Sequence, residues 1–285
     1  MRRAIALSAK GLGSTSPNPP VGCVILDSEG EFAGEGFHLR KGEPHAEVNA
    51  LTAAGDRARG GTAVVTLEPC NHHGRTPPCR KALLDAGVAR VVIALMDPTS
   101  REEGGAARLR SAGVDVEDNV LGSEALLVVG AWMRSLETKL PFVRWLDGDE
   151  GIPPTELVYF RSISDAIVFP EGRAEEGVPG AHLSEVFALP TAYRGQGPEL
   201  YLRELYDGGV RSLLLLGRSE LARTLCEAGL IDEVIRLIGD RPGAAEVTFT
   251  SWADICGTGL MARSVEKGSA GVRVVFARQG DSKRC

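Results

Sequence analysis

The chain has 285 residues, 43% hydrophobic and 25% charged, which is the composition of a globular protein with one large or two ordinary domains. Its formal net charge of −6 argues against a nucleic-acid-binding surface, which is usually basic. No apolar run approaches the ~20 residues that span a bilayer, and the basic, apolar start at residues 1–7 fits an amphipathic helix better than a signal peptide. We therefore expect a cytoplasmic protein that binds neither nucleic acid nor membrane.

The first half of the chain predicts a helix, a hairpin, and then helices and strands in alternation. This order indicates a layered α/β domain with a mixed sheet, whose ligands would lie beyond the strand ends. The predicted helices are 2–10, 46–58, 79–86, 104–112 and 124–137, and the predicted strands are 21–27, 31–38, 62–67, 90–95 and 114–120.

The pattern changes near residue 140, and we predict two domains, residues 1–139 and 140–285. Polar, glycine-rich loops are predicted at 147–154 and 171–180. The second domain should also be α/β, with strand-like runs at 141–145, 166–169, 213–216 and 272–276 and helical runs at 198–207 and 219–228.

Three residues have the types and positions of a metal site. His45 immediately precedes the helix 46–58, Cys70 follows the strand 62–67, and Cys79 begins a helix directly after two prolines. One His and two Cys favour a zinc site that leaves a fourth position free for water. Both helix N-termini would face the metal, where their partial positive charge favours thiolates. Zinc is therefore the predicted cofactor.

Glu47 has the position of a proton carrier. At the start of a helix, His45 and Glu47 can both reach a group that lies just beyond the helix end. His45 would hold the metal while Glu47 takes a proton from water and passes it on. His-x-Glu followed by Pro-Cys and a second Cys is the deaminase signature, in which metal-activated water attacks an amidine-like ring carbon. The usual pattern has two residues between the cysteines, whereas eight separate Cys70 from Cys79.

Plainer interpretations stay open. His45 could be a buried histidine beside two unrelated core thiols, or the zinc could be structural with His72 or His73 as its fourth ligand. Glu47 could be a first-turn carboxylate stabilised by the helix dipole. The other cysteines, such as Cys23 in an apolar strand, show no spacing typical of a disulfide framework.

Several segments stand in an order that resembles a known family. They are residues 16–22 (Ser-Pro-Asn-Pro-Pro-Val-Gly), 34–38 (Gly-Glu-Gly-Phe-His), 45–51 (His-Ala-Glu-Val-Asn-Ala-Leu) and 66–79, which begins Thr-Leu-Glu-Pro-Cys, with Asp97 and a proline after a strand. Over about residues 1–139 they resemble the deaminase half of the bifunctional riboflavin-biosynthesis deaminase–reductase family. The eight-residue gap distinguishes this family from cytidine, nucleic-acid and guanine deaminases.

The resemblance implies a cytidine-deaminase-like three-layer α/β/α domain with a mixed sheet. It also implies hydrolytic deamination of 2,5-diamino-6-(5-phosphoribosylamino)pyrimidin-4(3H)-one to 5-amino-6-(5-phosphoribosylamino)uracil. By the same resemblance, Asn18 contacts this substrate, His38 lines the pyrimidine pocket, and Asp97 lies near the substrate. Taken alone, Asn18 would be a turn residue, His38 a surface or capping histidine, and Asp97 a loop cap.

The loop between the two cysteines is the other predicted substrate contact. Its His, Gly and Arg side chains and backbone suit an oxyanion, and Asn71 and His72 are its first residues. The family usually has Lys or Arg at the position of Arg75, which implies contact with the substrate's ribose phosphate.

The second half departs from the family. There, the resemblance implies a dihydrofolate-reductase-like domain that uses NADPH. Its marks are a strand lysine before Ser-Leu-Asp-Gly, a Thr-x-x-x-Asp-x-Pro stretch and a late Glu-Gly-Gly turn. In this chain the lysine is missing before residues 146–148, the second stretch is missing after 164–168, and Gly-Arg-Ser at 217–219 replaces the glycine turn, although Arg218 could bind an anion. We predict a shortened, degenerate reductase-like domain that has lost hydride transfer and does not use NADPH.

Three functions are compatible with these motifs. The first is a zinc deaminase of the riboflavin precursor, and the second is the same chemistry on a related pyrimidine in a specialised pathway. The third is a non-catalytic partner that binds a pyrimidine or stabilises a separate reductase, although a proton carrier such as Glu47 would have no use there. Because relatives are commonly dimers or tetramers, the resemblance also implies a homo-oligomer.

Overall fold

The computed structural model describes residues 1–71, 78–100, 103–184, 187–190, 192–195, 197–239, 260–268 and 271–278. The chain divides into two compact units, Met1–Met133 and Arg134–Cys285. Within the described residues, no helix combines the length and the apolar character that a membrane crossing needs.

The first half of the chain folds around one mixed sheet. Its elements in chain order are α1 (Arg2–Ser8), β1 (Gly22–Leu26), β2 (Phe32–Phe37), α2 (Ala46–Ala54), β3 (Thr62–Leu67), α3 (Cys79–Asp85), β4 (Arg90–Leu95), α4 (Gly104–Ser111), β5 (Asp115–Glu117) and α5 (Gly122–Thr138). The strand order is β2-β1-β3-β4-β5. β1 pairs antiparallel with β2 and β3, whereas the pairs β3–β4 and β4–β5 are parallel. The predicted mixed-sheet α/β class is confirmed.

Glycines allow α2 to lie directly on β2. An ideal Cβ on Gly36 would lie 2.5 Å from Ala50 N and 2.8 Å from Ala46 O, and Gly34 approaches the same helix as closely. Such separations are well below van der Waals contact, so any side chain at Gly36 would push α2 away from the sheet. This contact fixes the start of α2, where His45 stands, relative to the sheet.

The second unit is built on a larger mixed sheet. Its elements are β6 (Phe142–Gly148), α6 (Pro154–Ser162), β7 (Ala166–Val168), β8 (Ala174–Glu176), α7 (Pro198–Asp207), β9 (Ser212–Leu216), α8 (Glu220–Glu227), β10 (Glu233–Ile238), β11 (Leu260–Gly268) and β12 (Gly271–Arg278). The strand order is β11-β12-β10-β6-β9-β7-β8. The central pairs β10–β6, β6–β9 and β7–β9 are parallel, and the outer pairs are antiparallel.

Four elements of this unit, α6, β8, β10 and β11, lie outside the predicted ones. β8 falls within the stretch 171–180 predicted as a loop, because its residues are polar and pair only at the end of the sheet. β11 forms the opposite edge, where Met261 and Val265 are 55% and 64% exposed. α6 exposes Val158 and Tyr159, so its apolar residues do not mark a single buried face.

Candidate metal centre

The three predicted metal ligands stand at the ends of regular elements. His45 precedes α2 with an extended backbone (φ −72°, ψ 166°). Cys79 is the first residue of α3, after Pro78 (φ −55°, ψ 139°). Cys70 follows the end of β3. Each ligand is therefore placed by the start of a helix or the end of a strand.

The ligand atoms of these side chains form a tight triangle. His45 Nδ1 lies 3.0 Å from Cys79 Sγ and 3.7 Å from Cys70 Sγ, and the two sulfurs are 3.3 Å apart. Ordinary tetrahedral Zn–S and Zn–N bonds need about 3.6–3.8 Å between such atoms, so zinc fits after shifts of roughly half an ångström. One imidazole and two thiols suit zinc, and three ligands leave a fourth position for water or substrate.

Hydrogen bonds within the cluster favour a thiolate at Cys70. The pKa of Cys70 is lowered to about 4, first by the hydrogen bond from the Cys79 thiol and then by the His45 ring and the backbone N–H of Cys79, which lies 3.2 Å away. The pKa of Cys79 is raised because its thiol bonds to Cys70 and is buried. The pKa of His45 is raised, chiefly by its hydrogen bond to Cys70. Cys70 thus offers a thiolate, the form in which cysteine binds a metal cation.

Glu47 is buried beside this cluster, with 3% of its surface exposed. Burial raises the pKa of its carboxyl to about 7, against the opposing effect of His45. Its side chain also hydrogen-bonds Cys79. A carboxyl with a pKa near neutrality can both accept and return a proton at physiological pH.

Asn18 and His38 are brought together next to the candidate ligands. Asn18 Nδ2 lies 3.2 Å from His38 Nε2, and His38 Nδ1 lies 3.2 Å from Pro44 O. The centroid of the His38 ring is 5.0 Å from that of His45. Burial, and after it the charge of His45, lower the pKa of His38 to about 4. His38 is 2% exposed, so it is a buried residue and not a surface histidine.

The loop between the cysteines is described only at its ends. The predicted substrate contacts His72 and Arg75, and the alternative zinc ligand His73, lie outside the described residues. Asn71 Oδ1 accepts a hydrogen bond from Arg80 Nε. Arg80 belongs to α3, so this bond ties the start of the loop to the helix that begins with a candidate ligand.

Asp97 follows the end of β4 and caps its own loop. Its Oδ1 accepts hydrogen bonds from Thr99 N at 2.8 Å and Thr99 Oγ1 at 2.7 Å. Its backbone N–H lies 3.4 Å from Glu68 Oε2. The loop-cap interpretation therefore describes one role of Asp97, and its contact with a substrate stays a prediction.

Some residues that support the site are not among those predicted from the sequence. Asn49 Nδ2 donates to Phe37 O at 2.9 Å and ties α2 to the end of β2. Trp132 Nε1 donates to Pro17 O at 3.0 Å. Glu68, buried at the end of β3, accepts hydrogen bonds from the loop after β4. A carboxylate directly after an apolar strand was the available sequence signal for Glu68.

Comparison with known proteins matches these features to a family. The model of the cytidine and deoxycytidylate deaminase zinc-binding region matches residues 1–95. The riboflavin biosynthesis protein RibD of Escherichia coli is 51% identical over 145 residues, which are 50% of this chain and 39% of that protein. The diaminohydroxyphosphoribosylamino-pyrimidine deaminase of Buchnera aphidicola from Schizaphis graminum is 44% identical over 142 residues, 50% of this chain and 96% of that protein.

The similarity to solved structures extends over both units. A diaminohydroxyphosphoribosylaminopyrimidine deaminase/5-amino-6-(5-phosphoribosylamino)uracil reductase from Thermotoga maritima matches 98% of this chain and 97% of its own, with a TM-score of 0.78 and 25% identity. The two-domain α/β fold and the resemblance found in the motifs are thereby confirmed. Since nearly the whole Buchnera protein is matched at 44% identity, the chain belongs to the diaminohydroxyphosphoribosylamino-pyrimidine deaminase family.

Proposed function

We propose that this chain is a zinc-dependent hydrolytic deaminase of riboflavin biosynthesis. It converts 2,5-diamino-6-(5-phosphoribosylamino)pyrimidin-4(3H)-one into 5-amino-6-(5-phosphoribosylamino)uracil and ammonia. The observation that carries the proposal is the buried Glu47 carboxyl beside the triangle of His45, Cys70 and Cys79. The substrate is supported by the name of the Buchnera relative, which is matched over 96% of its length.

The reaction uses Glu47 as the proton carrier. Held by His45, Cys70 and Cys79, zinc would lower the pKa of a water molecule to ~7. Glu47 accepts a proton from the attacking water and delivers it to the amine on the same ring carbon. The new C–O bond replaces the bond to the exocyclic nitrogen, ammonia leaves with the transferred proton, and the second water proton ends on the ring nitrogen, which gives the uracil. Burial of Glu47, which raises the pKa of its carboxyl, favours a group that can both take up and return the proton.

Substrate binding is proposed for Asn18, His38, Asn71, His72, Arg75 and Asp97. Asn18 donates its amide N–H to His38, which leaves the amide oxygen of Asn18 to accept a hydrogen bond from an amino or ring N–H. A neutral His38 adds no charge to the pocket, which suits an uncharged aminopyrimidine. The ribose phosphate is assigned to Arg75.

The second unit, in this proposal, does not transfer hydride. Arg218 lies in the turn after β9. Its Nε is 3.2 Å from Asp147 Oδ2, and its Nη2 is 3.6 Å from Asp149 Oδ1. The Ser219 hydroxyl accepts from Ala222 N at 3.0 Å and caps the start of α8. The family's glycine turn would leave room for a cofactor phosphate. A large, paired side chain and a capped helix start at this turn support the loss of NADPH binding.

The proposed domains are residues 1–139 for deamination and 140–285 for the reductase-like fold. The proposed assembly is a cytoplasmic homo-oligomer, a dimer or tetramer, for which the family resemblance is the support. Size-exclusion chromatography with light scattering tests the assembly.

The test of function is ammonia release from the diaminopyrimidine by the zinc-loaded protein, with and without NADPH. We expect ammonia without NADPH oxidation. NADPH oxidation after deamination would overturn the proposed loss of hydride transfer. If the zinc-loaded protein released no ammonia, the riboflavin precursor would be excluded in favour of a related pyrimidine or a non-catalytic role.

A Glu47→Gln variant separates catalysis from binding. We expect it to keep its zinc and to lose about 10²–10⁴-fold in turnover, the usual contribution of general acid–base catalysis. Glu43→Gln is the matched control, because Glu43 lies on the loop before α2 and pairs with Arg40. Unchanged turnover in Glu47→Gln would remove Glu47 from the reaction.

A further inference from the structure

Glu68 is a buried carboxylate between β3 and the candidate ligand Cys70. It is 4% exposed, and all of its described hydrogen-bond donors are neutral. Its Oε2 accepts from Ser100 Oγ at 2.6 Å and from Asp97 N at 3.4 Å. Its Oε1 accepts from Ala106 N at 2.9 Å. One side chain therefore collects donors from both ends of the connection between β4 and α4.

Hydrogen bonds from Asp97, Ser100 and Ala106 offset the cost of burying this carboxyl group. An ionised carboxylate is costly to bury unless it is hydrogen-bonded, and hydrogen bonds to a charged acceptor are roughly twice as strong as neutral ones. Ala106 lies in the first turn of α4, so the Glu68 side chain meets the N-terminal end of that helix.

The start of α4 is shaped to approach this carboxylate. Gly104 has φ +77°, and an ideal Cβ there would lie 2.4 Å from Glu68 Oε1. A Cβ on Gly105 would lie 1.8 Å from Pro69 O. A larger residue at Gly105 would push α4 away from the segment that leads into Cys70, whereas one at Gly104 would displace the Glu68 carboxyl group. The Gly105 contact with Pro69 is a second indication, independent of the Glu68 hydrogen bonds, that this approach is built into the fold.

The contact joins two parts of the proposed active site. β3 and β4 are parallel and end at the same edge of the sheet, where Glu68 N donates to Leu95 O at 2.9 Å. Cys70 follows the first strand and Asp97 follows the second. We propose that Glu68 is a positioning residue of the deaminase, which fixes the Asp97 loop, and with it the substrate, relative to the metal ligand Cys70. This inference rests on the proposed function.

The test compares Glu68→Ala, Glu68→Gln and Ser100→Ala in the full-length, zinc-loaded chain, with Glu29→Gln on the hairpin turn as the acid-to-amide control. The readouts are kcat, KM for the diaminopyrimidine, zinc per chain, and amide hydrogen exchange of residues 103–111. We expect Glu68→Ala to raise KM about tenfold, the effect of losing one or two hydrogen bonds, and to speed the exchange while zinc stays at about one per chain.

The two milder variants sharpen the result. Glu68→Gln should raise KM less than Glu68→Ala does, because the amide oxygen of the new side chain can still accept a hydrogen bond from Ala106 N. Ser100→Ala loses a single hydrogen bond and should raise KM by about two- to fivefold. If Glu68→Ala fails to fold, the KM of Ser100→Ala decides whether Glu68 positions the substrate.

Two results would overturn the positioning role. One is faster exchange with an unchanged KM in Glu68→Ala and Ser100→Ala, which would make the contact purely structural. The other is loss of zinc from Glu68→Ala, which would mean that Glu68 only holds the segment that carries the metal ligand Cys70. Both results can be interpreted only if the wild-type chain releases ammonia. Absence of turnover in the wild-type chain would instead overturn the proposed function itself.

Discussion

Asn18 donates a hydrogen bond to His38, with 3.2 Å between Asn18 Nδ2 and His38 Nε2, while His38 Nδ1 lies 3.2 Å from Pro44 O. A carbonyl oxygen can only accept, so the ring proton is on Nδ1 and Nε2 is the acceptor. The bond to Pro44 O sets the tautomer of His38, and the bond to His38 Nε2 sets the orientation of the Asn18 amide.

His38 is expected to titrate with a pKa of about 4, well below its usual 6.5. Because the folded-state pKa is the lower one, the unfolded chain takes up the proton first as the pH falls. The free energy of unfolding should therefore decrease as the pH drops from 6.5 to about 4. An NMR titration of the His38 ring, assigned with His38→Gln, checks the value, and a midpoint near 6.5 would contradict a buried neutral ring.

Cys79→Ser is expected to lose zinc. Removal of one of three protein ligands should weaken the affinity on the order of a hundredfold or more, since even the outer partners of a metal site contribute about 10–100-fold. Zinc per chain after dialysis against a weak chelator is the measurement. Cys226→Ala is the control, because Cys226 is a buried cysteine in the core of the second unit. Wild-type zinc retention in Cys79→Ser would exclude that thiol from the ligand set.

Gly36→Ala should reduce the free energy of unfolding by about 1–3 kcal/mol, the usual cost of overpacking. The added methyl group would meet Ala50 N at 2.5 Å. Gly130→Ala in α5 is the matched control, because nothing lies within 4 Å of its ideal Cβ. There we expect a gain of about 0.5–1 kcal/mol from helix propensity. Urea unfolding measures both, and equal effects would argue against close packing of α2 on β2.

Arg236 and Asp147 form a buried ion pair between neighbouring strands, with 4% of each side chain exposed. Arg236→Met should cost up to about 3–5 kcal/mol, because it removes the buried partner of Asp147 and leaves that carboxylate only the exposed Arg218. The double variant with Asp147→Leu should cost less than this single change. Arg218→Ala should cost under ~1 kcal/mol, since that side chain is 65% exposed. The free energies of unfolding are measured with urea. If the changes in the two single variants add up to the change in the double variant, Arg236 and Asp147 are not coupled.

The elements that carry the candidate ligands could be predicted because their signals are local. Two prolines directly before Cys79 mark the start of α3, and a polar residue before an amphipathic run marks His45 at the start of α2. Each signal spans only a few residues, so the sequence alone places these side chains at helix ends.

The side-chain partners could not be predicted because they come from distant parts of the chain. Trp132 and Pro17 are 115 residues apart, and Glu68 reaches Ala106 across 38 residues. Such pairs depend on which strands become neighbours. The same limit applies to β8 and β11, which form strands only because a sheet edge is available to pair with.

Two of the indoles can act as optical reporters. Trp132 Nε1 bonds to the carbonyl directly before Asn18, and Trp145 Nε1 donates to Gly217 O at 2.6 Å. Both rings are buried, at 5% and 3% exposure, so their fluorescence responds to local changes in polarity. A variant that keeps only Trp132 would follow the Asn18 loop as substrate binds. A variant that keeps only Trp145 would follow the turn at Gly217, so that each half of the chain can be observed separately within the intact protein.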